Sequence, residues 1–491
     1  MSAENPGGMQ LRFPRLWNWL SLTGLVTVAA SVFAAGLLFL IDTFGQASNP
    51  YVGILTYLIA PMFTLLGVAL VVLGMVLRRR EVRLRGEPIP LVIDLSRPRD
   101  RRLLGYFVGG SALFLVVTAV GSYHSYHFTE STTFCGQACH TVMEPEMVTY
   151  QHSPHARVAC VQCHIGPGAE WFVKAKLSGL YQVYATLTDR FPRPVPTPIA
   201  NLRPAQDTCE QCHWPERFSG NLVRYYRHFL SDATNTEYSV TLMLRVGGGA
   251  AHRGPVEGIH WHTSKDHKVE YYAADPLRLK IPWVRLTEKD GTVVEYRSPD
   301  FTNEVNQADV RTMDCIDCHN RPAHIYEKPN DAVDRAIARG LIDPGLLSVR
   351  SNATYIVTQP YTSREEARAK IAAHLETSYP GDERVPAAIA AVQGIYERNF
   401  FPQMKANWRV YPEHIGHKDW PGCVRCHDDK HQSSDGQRVI GFQDCNQCHV
   451  LLAQGTGDDL TQLSAGGQDF KHPLEDWDPE FACHDCHTGG P

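Results

Sequence analysis

No cysteine in this chain stands alone. All 14 fall in pairs, each pair running straight into a histidine, and none is left over for a disulfide framework or a separate thiol site. Basic residues are missing just as selectively: residues 1–122 hold no lysine, and 42–50 hold no basic residue of any kind. Between residues 220 and 313 the cysteines stop altogether. That gap sets off a stretch of different texture inside an otherwise repeating chain.

The pairs are Cys135/Cys139 before His140, Cys160/Cys163 before His164, Cys209/Cys212 before His213, Cys315/Cys318 before His319, Cys423/Cys426 before His427, Cys445/Cys448 before His449 and Cys483/Cys486 before His487. Two thiols so spaced can add to the vinyl groups of a haem, and the adjacent imidazole then takes an axial position on iron. Zinc ribbons also use Cys-x-x-Cys, but histidine is only about one residue in twenty here, and chance does not put one after each of seven pairs. The motifs therefore imply seven covalently bound haem c groups. The first is looser than the rest, with three residues between its cysteines.

Haem c is attached outside the cytoplasm, so the cysteine-bearing part must be exported. Three uncharged apolar runs, 20–41, 51–77 and 103–122, are each long enough to cross a bilayer core. The first is too long for a signal-peptide core, and two more follow it. The loop 78–102 carries nine arginines against four acids, which places it in the cytoplasm by the positive-inside rule. The N-terminus is then inside, residue 123 is outside, and every motif lies beyond it. A basic loop can also bind nucleic acid, but beside a membrane span a stop signal is the ordinary explanation, and no nucleic-acid partner is implied. Residues 1–122 carry a net charge of +5; the remainder, with 36 basic and 46 acidic residues, carries −10. A soluble partner should approach that exterior with a basic face.

The expected fold is a multihaem cytochrome c, mainly α and irregular with a small β insertion, on three N-terminal transmembrane helices. Its expected divisions are a three-helix anchor (1–122), a membrane-proximal triple-haem region (123–219), a β-rich insertion (220–312) and a C-terminal four-haem region (313–491). Alternating and β-branched runs near 240–246, 268–273, 278–286 and 292–297 predict the strands. Helical spacing marks a haem-free stretch within 330–400, where Ser363 and Glu366 have the spacing of a capping box.

Seven motif histidines leave 16 of the 23 for the sixth iron positions. The candidates by position are His155, His260 or His262, His324, His414 or His417, His431 and His472. Iron held by two histidines is closed to substrate and suits electron transfer. Met143 and Met147 follow His140 closely; a thioether there would raise that haem's potential, although methionine can equally serve as packing.

The first motif, the methionine, Ser153-Pro154-His155, CVQCHIGPG and the lysine-bearing segment after it make up residues 134–179. With a membrane helix ahead, this span resembles the NapC/NirT family of membrane-anchored, quinol-oxidising cytochromes. Later blocks such as CEQCHWPERFSG, GIHWH, CIDCHNRPAHIY and IGHKDWPGCVRCHDDKH extend the likeness to the inner-membrane heptahaem cytochromes of metal-reducing bacteria. The resemblance implies oxidation of menaquinol or ubiquinol from the membrane pool beside the first haem. It also implies Met143 as a ligand there, Lys174 or Lys176 with Glu170 holding the quinol, and periplasmic cytochromes or reductases as acceptors. Two features depart from the family: it usually has one anchor helix, and its first motif lacks the extra residue. Two other classes stay open, an electron-conduit subunit whose helices bind membrane partner subunits and a terminal multihaem reductase with one open haem.

Overall fold

The computed structural model describes residues 10–12, 17–44, 60–85, 92–138, 140–165, 169–199, 203–248, 257–441, 446–474 and 481–490. The chain divides into two compact bodies, one of Met1–Phe134 with Cys160–Gln182 and one of Cys135–Ala159 with Val183–Pro491.

In the first body, strand β1 (Gln10–Arg12) pairs antiparallel with β2 (Val92–Asp94). Helices α1 (Trp19–Phe44) and α2 (Ala60–Arg85) have 26 residues each. At 1.5 Å per residue that is about 39 Å, more than the ~30 Å hydrocarbon core. Lipid offers apolar side chains no hydrophobic reason to pair, so such helices associate through small residues and polar contacts. Both are present. Gly24 and Gly67 face each other so closely that a Cβ on Gly24 would lie 2.6 Å from the Gly67 carbonyl, and one on Gly67 2.7 Å from Val28 Cγ2. Asn18 Nδ2 donates to the Gly74 carbonyl at 3.0 Å, and buried Ser31 bonds the Thr64 hydroxyl at 2.9 Å. Leu25, Phe33, Leu65 and Leu66 point outward and are exposed, as lipid-facing side chains would be.

One expectation needs correction. Among the described residues two helices, not three, are long and apolar enough to cross a membrane, within Trp19–Gly36 and Ala60–Leu84. The third expected span falls in α3 (Pro98–Thr129), which opens with Arg99, Asp100, Arg101 and Arg102 and several of whose apolar side chains lie outside those described. The described anchor is thus the α1–α2 hairpin. The side chain of Trp19 reaches Phe107 on α3, ring centroids 5.4 Å apart.

In the second body, α6 (Pro329–Ala338), α7 (Val349–Val357), α8 (Arg364–Ser378) and α9 (Val385–Asn399) bury one continuous core. Val333, Val349, Ile371, Leu375 and Val392 are fully enclosed in it, each worth roughly 1.5–3 kcal/mol of burial. Ser363 caps α8 by accepting from the Glu366 N–H at 3.1 Å. The Glu366 carboxylate reaches back to the Thr362 N–H at 2.8 Å, one residue earlier than a capping box requires. Helix α4 (His140–Gln151), which starts on the first motif's histidine, lays Val142 and Val148 against this core.

The β content exceeds the small insertion expected, because neither sheet closes within 220–312. Strands β3 (Leu222–Phe229) and β4 (Glu237–Leu244) are joined by β10 (His449–Gly455), in order β10-β4-β3. The other sheet runs β8 (Arg311–Thr312), β5 (Lys268–Tyr272), β6 (Trp283–Thr287), β7 (Val293–Arg297) and β9 (Gln432–Ser433). Along β5, Val269 and Tyr271 turn inward while Lys268 is exposed, the period-2 alternation of a half-buried strand.

The glycine seam yields a direct expectation. Gly67→Leu should wedge α1 from α2 and cost about 1–3 kcal/mol, read as a lower melting temperature of the detergent-solubilised protein; an unchanged melting temperature would mean the helices do not pack through that seam.

Candidate metal centres

Most of the described cysteine pairs sit on a single helical turn, because two thiols must leave the backbone on the same side to meet one planar group. Cys160–His164, Cys315–Cys318 and Cys483–Cys486 are α-helical turns, and Cys209–Gln211 and Gly422–Arg425 are 3-10 turns. In four motifs the histidine N–H donates to the first cysteine's carbonyl: His213 to Cys209, His319 to Cys315 and His487 to Cys483 at 2.8 Å, and His427 to Cys423 at 3.1 Å. The extra residue of the first motif is absorbed by a π-helical turn over Phe134–Ala138, the usual way a helix accepts one inserted residue. Cys139 and Cys445 lie outside the described residues, as does the side chain of His140. None of the 12 described cysteines is in a disulfide.

Four second cysteines depart from a uniform, enclosed turn. Cys163, Cys212 and Cys486 are exposed, whereas their partners Cys160, Cys209 and Cys483 are half-buried. Cys212 also falls just past its 3-10 turn and closes it, its N–H donating to the Cys209 carbonyl at 3.1 Å. Cys448 is half-buried and lies on no helix: it directly precedes β10, and its carbonyl accepts from the Arg245 N–H at 2.9 Å. The sixth motif is thus shaped by the sheet beside it, since a residue entering a strand gives its carbonyl to the neighbouring strand instead of to its own turn. An exposed thiol suits covalent attachment, which needs a sulfur that a bulky planar group can reach.

Opposite five motif histidines stands a second histidine. Ring centroids are 6.1 Å apart for His155/His213, 6.4 Å for His260/His319, 5.8 Å for His262/His427, 6.2 Å for His417/His449 and 6.0 Å for His472/His487. Two imidazoles sharing one metal, each nitrogen about 2 Å from it, have centroids about 6 Å apart. Direct stacking would bring them closer. The spacing is that of rings held apart by an atom between them.

The ring electrostatics agree with ligation, which needs a neutral imidazole. Burial pushes His262 down to about 4 and lowers His319, His417, His449 and His487 as well. Orientation is fixed from behind. Nδ1 lies at hydrogen-bond distance from a backbone carbonyl in His155 (Pro322, 3.0 Å), His260 (Val246, 2.6 Å), His262 (Ile259, 2.9 Å) and His427 (Gly441, 3.0 Å). That arrangement presents Nε2 to a metal. His472 differs, its Nδ1 accepting from the Leu474 N–H at 3.1 Å. Buried His449 Nδ1 has no hydrogen-bond partner among the described residues. Paired spacing fits covalent haem c at all five positions, and it is joined by an anchored Nδ1 at His155, His260, His262 and His427 and by burial favouring the neutral ring at His262, His319, His417, His449 and His487.

The sequence left His260 and His262 as alternatives, and each faces a different motif histidine, His319 and His427 respectively. They lie on one 3-10 turn, Ile259–Thr263, where residues two apart project about 120° from each other and so reach different motifs. The turn hangs from the end of β4: Ile259 N donates to the Arg245 carbonyl at 2.8 Å and His260 N to Gly247 at 3.0 Å. Gly258 makes this possible, with φ +96° and room for no Cβ, which would lie 2.5 Å from the Arg245 carbonyl.

His414 and His431 sit elsewhere. Both ring nitrogens of His414 lie 3.1 Å from the Asp317 and Leu277 carbonyls, and those of His431 lie 2.8 Å from Asp428 Oδ1 and 2.7 Å from the Ile281 carbonyl. His324 places Nδ1 3.0 Å from the Glu146 carbonyl. Met147, rather than only Met143, bears on the first motif, its sulfur packed so tightly on Gly136 that a Cβ there would collide with it. Lys174 is exposed on α5 (Ala169–Leu187); the side chains of Glu170 and Lys176 lie outside the described residues.

Two residues inside the motifs were invisible as functional from sequence. Asp317, between the cysteines of the fourth motif, is fully buried and accepts from Tyr271 Oη at 2.5 Å, Arg278 Nη1 at 2.7 Å and the Asp314 N–H at 2.9 Å. Breaking such a buried pair costs about 3–5 kcal/mol. Arg425, inside the fifth motif, donates to the Asp317 carbonyl at 3.0 Å and the Arg278 carbonyl at 2.9 Å. These contacts clamp the fourth and fifth motifs to each other and to the β5 sheet.

His414 generates a pH expectation. Burial, then Arg425, holds it at about 4, against about 6.5 unfolded. Between those values the unfolded chain binds the extra proton, so stability present above about pH 6.5 is lost as pH falls toward 4. His414→Gln should flatten the melting temperature against pH in that window; an unaltered slope would show that His414 is not the group responsible.

A family model described as NapC/NirT cytochrome c family, N-terminal region, matches residues 97–194. Over 494 aligned residues the chain is 44% identical to the cytochrome c-type protein ImcH of Geobacter sulfurreducens, covering 96% of this chain and 95% of that one. No solved structure matches. Identity of that level across both full lengths, on a chain built from facing histidines and paired thiols, settles the family: this is a membrane multihaem c-type cytochrome of the NapC/NirT family.

Proposed function

We propose that the protein is a cytoplasmic-membrane quinol dehydrogenase that carries seven haem c groups on its periplasmic side and delivers electrons to soluble periplasmic cytochromes or reductases. The observation that carries this reading is the set of five facing histidine pairs. A metal closed on both sides by imidazole has no position for substrate, which favours electron transfer over a terminal reductase. When bound, haem c supplies a one-electron carrier at each motif, so that the two electrons of a quinol can leave singly.

The ligand set on this reading is His155 with His213, His260 with His319, His262 with His427, His417 with His449 and His472 with His487. His324 is kept as a candidate axial ligand, and Met143 remains the candidate at the first motif. His414 and His431 are left out, since both ring nitrogens of each are already engaged, those of His414 by two main-chain carbonyls and those of His431 by the Asp428 carboxylate and the Ile281 carbonyl.

Consecutive sites are tied by short supports. His155 leans on Pro322, three residues past His319; one turn carries both His260 and His262; and His427 leans on Gly441, four residues before Cys445. Such shared supports keep neighbouring centres at fixed separation, in motif order from the third to the sixth.

Quinol chemistry falls to α5 directly after the second motif. The Lys174 and Lys176 ammonium groups would hold the head group and favour the quinolate by charge, while the Glu170 carboxylate would accept the quinol's protons one at a time and pass each to water. Attachment of haem c outside the cytoplasm supports a periplasmic position for the motifs, on a chain whose described membrane helices are α1 and α2. The net acidic exterior favours acceptors with a basic docking face.

Anaerobic mixing of the purified full-length protein with a menaquinol analogue tests the reading. Reduction of haem absorbance by the isolated protein is expected, and Lys174→Gln should slow it about tenfold or more, the worth of one charge-assisted hydrogen bond. Seven haems that a strong reductant reduces but a quinol does not would point instead to a conduit subunit needing a partner.

A further inference from the structure

His324 is held differently from His155, His260 and His262, whose Nδ1 atoms face neutral carbonyls. Its Nδ1 lies 3.0 Å from the Glu146 carbonyl and 3.1 Å from Glu146 Oε2, so one ring proton is shared between main chain and carboxylate. The carboxylate is itself held. Arg321 Nη2 reaches Glu146 Oε2 at 3.1 Å and Oε1 at 3.2 Å, while Arg321 Nε donates to the His324 carbonyl at 2.6 Å. The guanidinium is fixed over the ring of Tyr411 at 4.1 Å and that of Tyr326 at 4.9 Å. Side-chain exposure is 12% for Arg321, 17% for Glu146 and 26% for His324, so solvent screens these charges only partly.

We infer that Glu146 and Arg321 are a tuning pair that sets the reduction potential of the iron His324 serves, resting on the proposal that His324 is an axial ligand. With Nδ1 occupied, ligation falls to Nε2. A carboxylate drawing on the Nδ1 proton makes the imidazole a stronger donor, which favours the ferric state and lowers the potential. Arg321 opposes it by drawing charge from the same carboxylate. The two residues therefore push one potential in opposite directions, and the main-chain contact holds the ring whichever of them is changed.

The test is a potentiometric titration of the purified holoprotein, followed optically and by electron paramagnetic resonance, with the haems counted in each sample. Glu146→Gln keeps the side-chain shape and the carbonyl contact but removes the charge; one midpoint should rise while the others stay in place. Arg321→Gln leaves the carboxylate uncompensated and should lower the same midpoint. A purely structural role would move both variants the same way, and that result, or no movement in either, overturns the inference. Should Glu146→Gln lose a haem, Arg321→Gln decides alone: a lowered midpoint supports the pair, an unchanged or raised one refutes it. His324→Ala separates the two readings: if every low-spin signal persists in it the parent assignment of His324 as a ligand fails, whereas loss of one such signal there with immovable midpoints in the Glu146 and Arg321 variants sinks only the tuning pair.

Discussion

Two imidazoles held about 6 Å apart, too far to touch and too near to ignore each other, form the constraint on which this molecule turns. These rings neither stack closely nor hydrogen-bond to each other, and at His262 and His449 burial favours the neutral form. A buried imidazole left without a partner would cost free energy. A shared metal accounts for the spacing, the neutrality and the carbonyl behind Nδ1 together, and it explains why so much irregular chain is held in place by so little conventional core. The aliphatic core of the second body lies in the haem-free helices, where Val333, Ile371 and Val392 are enclosed; the motifs themselves stand on single turns.

What keeps those turns in register is a small number of charged and strand contacts. Asp317 and Arg425 bind the fourth and fifth motifs to each other and to the sheet edge. Strand β10 begins on His449, directly after Cys448, and pairs with β4, whose C-terminal end, beside His449, carries the turn bearing His260 and His262. The β structure is therefore a frame that delivers ligands, which is why it recruits β9 and β10 from far along the chain. On the membrane side the logic differs: α1 and α2 meet through glycine and hydroxyl groups because apolar side chains are equally at home in lipid.

The motifs were legible in the sequence because the attachment chemistry demands residues next to one another. Their local shape was not: the same spacing gives an α-turn at Cys160/Cys163, a 3-10 turn that Cys212 closes from outside, and a strand entry at Cys448. The facing histidines were legible only as a pool. His155, His260, His262, His417 and His472 stood among the candidates, but which motif each would meet depends on contacts such as β4 with β10, between residues more than 200 apart, that no local pattern encodes. Proximity in sequence also suggested His414 and His431, which flank the fifth motif, yet the carbonyls of Leu277 and Ile281 come from the β frame to occupy them. The buried Asp317 and Arg425 were hidden because positions between motif cysteines carry no shared identity. Strands β5 to β7 were readable from alternation, whereas β3, whose residues are almost all exposed, gave no such signal. The third membrane span followed from hydropathy alone; among the described residues only the α1–α2 hairpin meets that standard.

The most direct test of the central claim is the axial ligation of iron in the purified full-length protein, read by near-infrared magnetic circular dichroism at low temperature with the haems counted in the same sample. The account predicts low-spin iron throughout the five paired sites, with the charge-transfer band of two-histidine ligation dominating the spectrum. Predominantly high-spin iron, or zinc in place of iron, would contradict it.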